Sequence, residues 1–105
     1  IRMAGEKAMA FIAEMDLTDF LQDDKTTFAV ARALEIIGEA TKSIPQAVRD
    51  RYPQIPWRAV AGMRDKLSHE YFRVDNRRLY YTVRQEVPQL MQTVHQILLE
   101  LENGR

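Results

Sequence analysis

Residues 23–44 read DDKTTFAVARALEIIGEATKSI and carry the clearest helical pattern in the chain. Apolar side chains recur there at intervals of three and four, which places them on one side of an α-helix. They are Val30, Ala33, Leu34, Ile37, Ala40 and Ile44. Asp23 or Asp24 can cap the start, and Pro45 should end the helix near Ser43 or Ile44. The stretch predicts a long amphipathic helix against which the other apolar segments can pack.

Similar patterns lie on both sides of this helix. The apolar residues of segment 1–15 predict a first helix, and Thr18 is a plausible N-cap for a short turn that carries Phe20 and Leu21. Segment 45–56 is bracketed by prolines and should be an irregular connector with a short turn around residues 46–51.

Three further helices are predicted beyond the connector. Pro56 suits the first turn of one helix, with Trp57, Val60, Met63 and Leu67 on its buried side. Asp75 can cap the next, and the last begins at Val87 and Pro88. These patterns predict an all-α, up-down bundle of about four or five helices.

Length and composition agree with one small helical domain. The chain has 105 residues, of which 46% are hydrophobic and 29% charged, with no cysteine. We expect a single domain over residues 1–105, with part of the first helix missing because Ile1 already lies in its apolar pattern. The lack of cysteine excludes disulfides and thiolate metal sites and fits a reducing cytoplasm. No apolar run approaches the ~18 residues that a membrane span needs.

Charge is balanced overall but not along the chain. Residues 1–41 carry a net charge of −4, residues 42–78 carry +5, and residues 79–105 carry −1. A locally basic surface can concentrate a polyanion. The alternative is an ordinary solvated face with a basic loop.

The basic segment contains one of the two histidines, His69, with Arg64 before it and Tyr71 after it. Arginine offers a permanently charged fork of donors to a phosphate. Histidine transfers protons near neutral pH, and tyrosine adds a hydroxyl that can be modified. On an ideal helix Arg64 and His69 lie about 140° apart. Either a helix ends between them, or they serve one ligand across a junction or a subunit interface.

Several other residues have both a functional and a structural interpretation. Glu35 and Glu39, four residues apart, can anchor Arg64 or His69 or belong to a solvated face. Trp57 can stack on a base or pack in the core. His69 and His95 are far apart in sequence, so a metal site is poorly supported. We predict neither a metal nor a cofactor.

Three blocks of sequence resemble one known family. Segment 64–71, RDKLSHEY, matches the Arg-x4-His-x-Tyr motif of HEPN-domain toxins, and segments 34–40, 51–57 and 62–72 are similar to their HepT-like branch. The resemblance implies a HEPN-type bundle that forms homodimers. It also implies a toxin with metal-independent endoribonuclease activity on RNA.

The same resemblance assigns roles to individual residues. Arg64 and His69 would be catalytic, and Tyr71 would be modified with AMP by a cognate MNT-type nucleotidyltransferase antitoxin. Asp65 and Lys66, within the motif, are expected to be supporting polar residues together with Glu35 and Glu39.

A second function stays open. The domain can instead be a non-catalytic, nucleotide-binding or recruiting subunit of a nucleotidyltransferase complex, in which Arg64 and His69 hold a nucleotide phosphate. A helical dimer whose basic groove only binds an antitoxin is a third possibility.

Overall fold

The computed structural model of the chain describes residues 1–69 and 76–103, with side chains described for residues 1–63 and 76–102. The described residues form α1 (Arg2–Ile12), α2 (Leu17–Gln22), α3 (Asp24–Thr41), α4 (Gln46–Arg51), α5 (Trp57–His69), α6 (Asn76–Tyr81), a π-helical turn (Thr82–Glu86) and α7 (Val87–Asn103). Regular structure in these ranges is entirely helical, which confirms the predicted fold class. Short helices α2 and α4 add to the four or five that the apolar periods predict.

Helix α3 lies at the centre of the bundle. It packs most extensively on α5, then on α1, and also contacts α2 and α6. The largest side chains that are almost fully inaccessible are Ile12, Phe20, Val30, Leu34, Ile37, Thr41, Val83 and Val87. Three of them belong to the predicted apolar side of α3, so the spacing of apolar residues predicted the buried side of this helix correctly.

An aspartate caps the N-terminus of α2 and another caps that of α3. Asp23 caps α3 as predicted, since its carboxylate accepts a hydrogen bond of 3.0 Å from the amide of Thr26. This bond is the main reason that the pKa of Asp23 lies below its usual value. The predicted cap of α2, Thr18, is wrong: Asp16 caps that helix and accepts a 2.8 Å bond from the amide of Asp19.

The connector between α3 and α5 is held by hydrogen bonds to its own backbone. The indole N–H of Trp57 donates to the carbonyls of Tyr52, at 2.9 Å, and Arg49, at 3.1 Å. Trp57 is only 7% exposed. Its interpretation as a core residue is therefore confirmed, and the alternative of an open stacking platform is wrong.

The C-terminal helices differ from the predicted pair. Residues 76–103 are helical throughout, with a π-helical turn at Thr82–Glu86 just before α7. A proline ring inside an α-helix clashes with the carbonyl four residues earlier, and a wider turn relieves that clash. The turn thus lets the helix continue through Pro88. The predicted cap of this region, Asp75, lies outside the described residues.

The end of α1 is fastened to the C-terminal helices. The guanidinium of Arg84 donates to the carbonyls of Ile12 and Met15, each at 2.6 Å, and the hydroxyl of Tyr80 donates to Met15 at 2.8 Å. Ile12 is the last residue of α1 and Met15 lies three residues beyond it, where carbonyls have no partners within the helix. The Ile12 carbonyl also accepts a bond of 2.9 Å from the amide of Met15. Helix α1 therefore ends at Ile12 instead of reaching Met15.

Removal of the Arg84 guanidinium should destabilise the fold. Because charged donors to carbonyls contribute more than neutral ones, Arg84→Met is expected to lower the free energy of unfolding by about 2 kcal/mol. Urea denaturation of the variant measures this loss. Gln85→Met, an exposed neighbour, is the matched control and should change the free energy of unfolding by less than about 0.5 kcal/mol. Equal losses in both variants would mean that the Arg84 contacts contribute nothing.

Among the described helices, none combines the length and the apolar character that crossing a lipid bilayer requires.

Candidate functional site

Helix α5 carries both predicted catalytic positions. It is continuous from Trp57 to His69, so the alternative in which a helix ends between Arg64 and His69 is wrong. Five residues of helix separate the two positions by about 140° around the axis and about 7.5 Å along it. The two positions therefore do not share one face of the helix. The side chains of Arg64, Asp65, Lys66 and His69, and the whole of Tyr71, lie outside the described residues, and their roles stay predictions.

Glu35 and Glu39 lie on α3, the helix that packs most closely on α5. They line a shallow groove of about 440 Å³ with Arg32, Ile36, Ala40 and Ser43. Glu35 accepts a bond of 3.1 Å from Arg32, and Glu39 lies 3.9 Å from the ammonium of Lys42. Glu35 thus takes part in an ion pair within α3, and Glu39 in one with the residue that directly follows α3. Their proposed contact with Arg64 or His69 stays a prediction.

A second groove is lined by basic residues, and we refer to it as the basic groove. It has a volume of about 550 Å³ and lies where the end of α3, the connector and the start of α5 meet. Its walls are Lys42, Gln46, Arg49, Asp50, Pro53, Ile55, Trp57, Arg58 and Ala61. The sequence signals only that segment 42–78 is basic. It does not indicate that Lys42, Arg49 and Arg58 share one depression.

A third depression is mostly apolar. It occupies about 590 Å³ between α5 on one side and α6, the π-helical turn and α7 on the other. Gly62 lies on its wall, and a β-carbon added there would meet nothing within 4 Å. No local sequence pattern indicates this depression, because its walls come from two separate segments, residues 55–63 and 78–90.

Metal ligation has no candidate within the described ranges. No group of three or more histidine, cysteine, aspartate or glutamate side chains there is arranged to hold an ion.

Comparison with known proteins identifies the family. The family model described as "Ribonuclease HepT-like" matches residues 1–97. The chain belongs to the HepT-like ribonuclease family. The resemblance predicted from segments 34–40, 51–57 and 62–72 is thereby confirmed, and all three lie inside the matched range.

Several known proteins are similar to this chain over most of their length. A "Probable ribonuclease HepT" of Thermococcus cleftensis is 56% identical over 86% of this chain and 82% of the relative. A "Putative RNase" of Caldanaerobacter subterraneus is 48% identical over 76% of this chain and 71% of the relative. Another "Putative RNase", of Methanocaldococcus jannaschii, is 42% identical over 88% and 79%, respectively. No solved structure matches the chain.

Proposed function

We propose that the chain is the toxin of a HEPN/MNT toxin–antitoxin system and acts as a metal-independent endoribonuclease. Its substrate is RNA, its active form is a homodimer, and Arg64 and His69 are its catalytic residues. A cognate nucleotidyltransferase antitoxin neutralises it by transferring AMP to Tyr71. Membership of the HepT-like family supports the activity. The observation that carries the dimeric site is the single continuous helix α5, which separates Arg64 from His69 by about 140°.

Pairing of two copies solves this geometric problem. When two α5 helices face one cleft, the arginines and histidines of both copies can approach one phosphate from opposite sides. The outward face of α3 supports such pairing. It exposes Phe28 and Ile36, large apolar side chains that are 56% and 41% exposed, and a partner surface would cover them.

The chemistry needs no metal because RNA carries its own nucleophile. His69 of one copy takes the proton from the ribose 2′-OH, and the 2′ oxygen forms a bond to phosphorus. The bond from phosphorus to the 5′ oxygen breaks, and His69 of the other copy, in its charged form, gives that oxygen a proton. Arg64 stabilises the negative charge that builds on the phosphoryl oxygens. The products are a 2′,3′-cyclic phosphate and a free 5′-OH.

RNA cleavage in EDTA tests this function. Purified protein should cut RNA with the chelator present and leave 2′,3′-cyclic phosphate ends. Inert protein that binds nucleotides tightly would instead support the recruiting subunit. Cleavage that is lost in EDTA would contradict the metal-independent reaction.

AMP transfer to Tyr71 should switch the toxin off. The modification adds a bulky anion beside the cleft, which blocks access and repels RNA phosphate. Mass spectrometry of protein co-expressed with its nucleotidyltransferase should find AMP on Tyr71, and Tyr71→Phe should escape neutralisation. Tyr81→Phe is the matched control, since Tyr81 is an exposed tyrosine on α6. Complete neutralisation of the toxin with Tyr71 unmodified would contradict neutralisation by AMP transfer.

A further inference from the structure

The basic groove collects positive charge that the catalytic roles do not use. Lys42, Arg49 and Arg58 line it, and Asp50 is the carboxylate among its lining residues. Asp50 already accepts a hydrogen bond of 2.8 Å from the amide of Gln46. Three cations therefore face one acid in a depression that is open to solvent.

The three cations have different surroundings. Arg49 donates to the carbonyls of Thr41 and Ile44, at 2.7 and 3.1 Å, so it holds the end of α3 in place while keeping its charge. Lys42 lies near Glu39 at the rim. Arg58 is exposed in the first turn of α5. Of the three, Arg58 is best suited to bind a ligand from solvent, and its removal should least disturb the fold.

Helix α5 connects the basic groove to the proposed catalytic position. Arg58 and His69 are 11 residues apart, which corresponds to about 20° around the helix axis and about 16 Å along it. Between them along the axis, the positions of Gly62 and Asp65 lie within about 40° of Arg58, and Ala61, about 60° away, lines the groove. Arg58 and position 69 thus lie on one side of a single continuous helix.

We propose that the basic groove binds an RNA phosphate several nucleotides away from the bond that is cut, with Arg58 as the principal contact. The inference rests on the proposed ribonuclease function. A strand whose scissile phosphate lies at His69 carries further phosphates along its backbone. At about 3.4 Å per stacked nucleotide, 16 Å corresponds to roughly five nucleotides, and fewer when the strand is extended. An RNA strand carries charges at regular intervals, so it can contact a second charged site that is aligned with position 69 along α5. Binding of an acidic protein would not require this alignment.

This contact should be independent of base sequence and sensitive to salt. Each phosphate contact with single-stranded nucleic acid contributes about 0.7 to the slope of log K against log salt concentration. Arg58→Ala should therefore reduce that slope by about 0.7. If the variant and the parent have equal affinities for RNA at 1 M salt, the variant binds RNA roughly eightfold more weakly at 50 mM salt and about threefold more weakly at 200 mM salt.

Fluorescence anisotropy measures this effect. The full chain carries His69→Ala so that RNA stays intact, and a labelled single-stranded 12-mer is titrated at several salt concentrations with and without Arg58→Ala. Lys7→Ala is the charge-matched control, because Lys7 is an exposed residue of α1. It should leave the salt slope unchanged.

The outcomes test the phosphate site separately from the proposed ribonuclease activity. An unchanged salt slope in Arg58→Ala overturns the phosphate site, even when the parent chain cuts RNA. A reduced slope supports the site, even when the chain with His69 intact cuts nothing and the ribonuclease proposal fails. If Arg58→Ala weakens binding to the nucleotidyltransferase but leaves the RNA slope unchanged, the groove contacts protein and the RNA inference is wrong.

Discussion

Arg64→Ala and His69→Ala should each lower the rate of RNA cleavage by roughly 10²–10⁴-fold. A positioned general acid or base contributes about that much, and loss of a preorganised charge at the developing oxyanion has an effect of similar size. The measurement is single-turnover cleavage of a labelled RNA in EDTA. Circular dichroism of each variant confirms that the helices remain. Substitution of the supporting residues Asp65 or Lys66 should have smaller effects.

Matched substitutions elsewhere test whether the effect is specific. His95→Ala removes the other histidine, which is exposed on α7, and Arg2→Ala removes an exposed arginine of α1. Both variants should cleave RNA at the parent rate. If His95→Ala loses as much activity as His69→Ala, the assignment of the catalytic histidine is wrong.

Mixed dimers test whether two copies share one site. When inactive His69→Ala subunits are exchanged into the parent protein, a shared cleft predicts that activity falls with the square of the parent fraction. Two independent sites predict a linear fall. A linear result with the parent active would reject the composite site while leaving Arg64 and His69 as catalytic residues.

Leu34→Ala should cause a large loss of stability. The side chain is 1% exposed at the centre of the bundle, where truncation removes buried apolar surface and leaves a cavity. We expect the free energy of unfolding to fall by about 3 kcal/mol, which corresponds to a decrease in Tm of roughly 10–20 °C for a domain of this size. Urea denaturation and thermal melts measure the two quantities.

Ile36→Ala is the matched control for Leu34→Ala. Ile36 lies two residues further along α3 and is 41% exposed, so its truncation should change the free energy of unfolding by less than about 1 kcal/mol at concentrations where the chain is monomeric. A larger loss that appears only at high protein concentration would indicate that Ile36 lies in the dimer interface. Equal losses for both variants at low concentration would contradict the placement of the core around α3.

Local patterns predicted much of the fold. The stripe of α3, the cap at Asp23 and the buried Trp57 follow from residue spacing and side-chain chemistry within a few turns of helix. Thr18 was the wrong cap because α2 begins at Leu17, which places Asp16 at the cap position, and aspartate is a stronger N-cap than threonine. Met3 and Phe11 fit the apolar period of α1 but are exposed, because no described helix covers that side.

The sequence by itself determined the helical class, the family and the identities of the candidate catalytic residues. Helical periodicity and a short motif are properties of neighbouring positions, so they can be recognised without knowledge of the packing. Only the tertiary structure decided that α5 runs unbroken through Arg64 and His69, that Arg84 closes the end of α1, and that Lys42, Arg49 and Arg58 share one groove. These features depend on how helices distant in sequence meet, and that depends on the burial of apolar surface summed over the whole bundle instead of on any local run of residues.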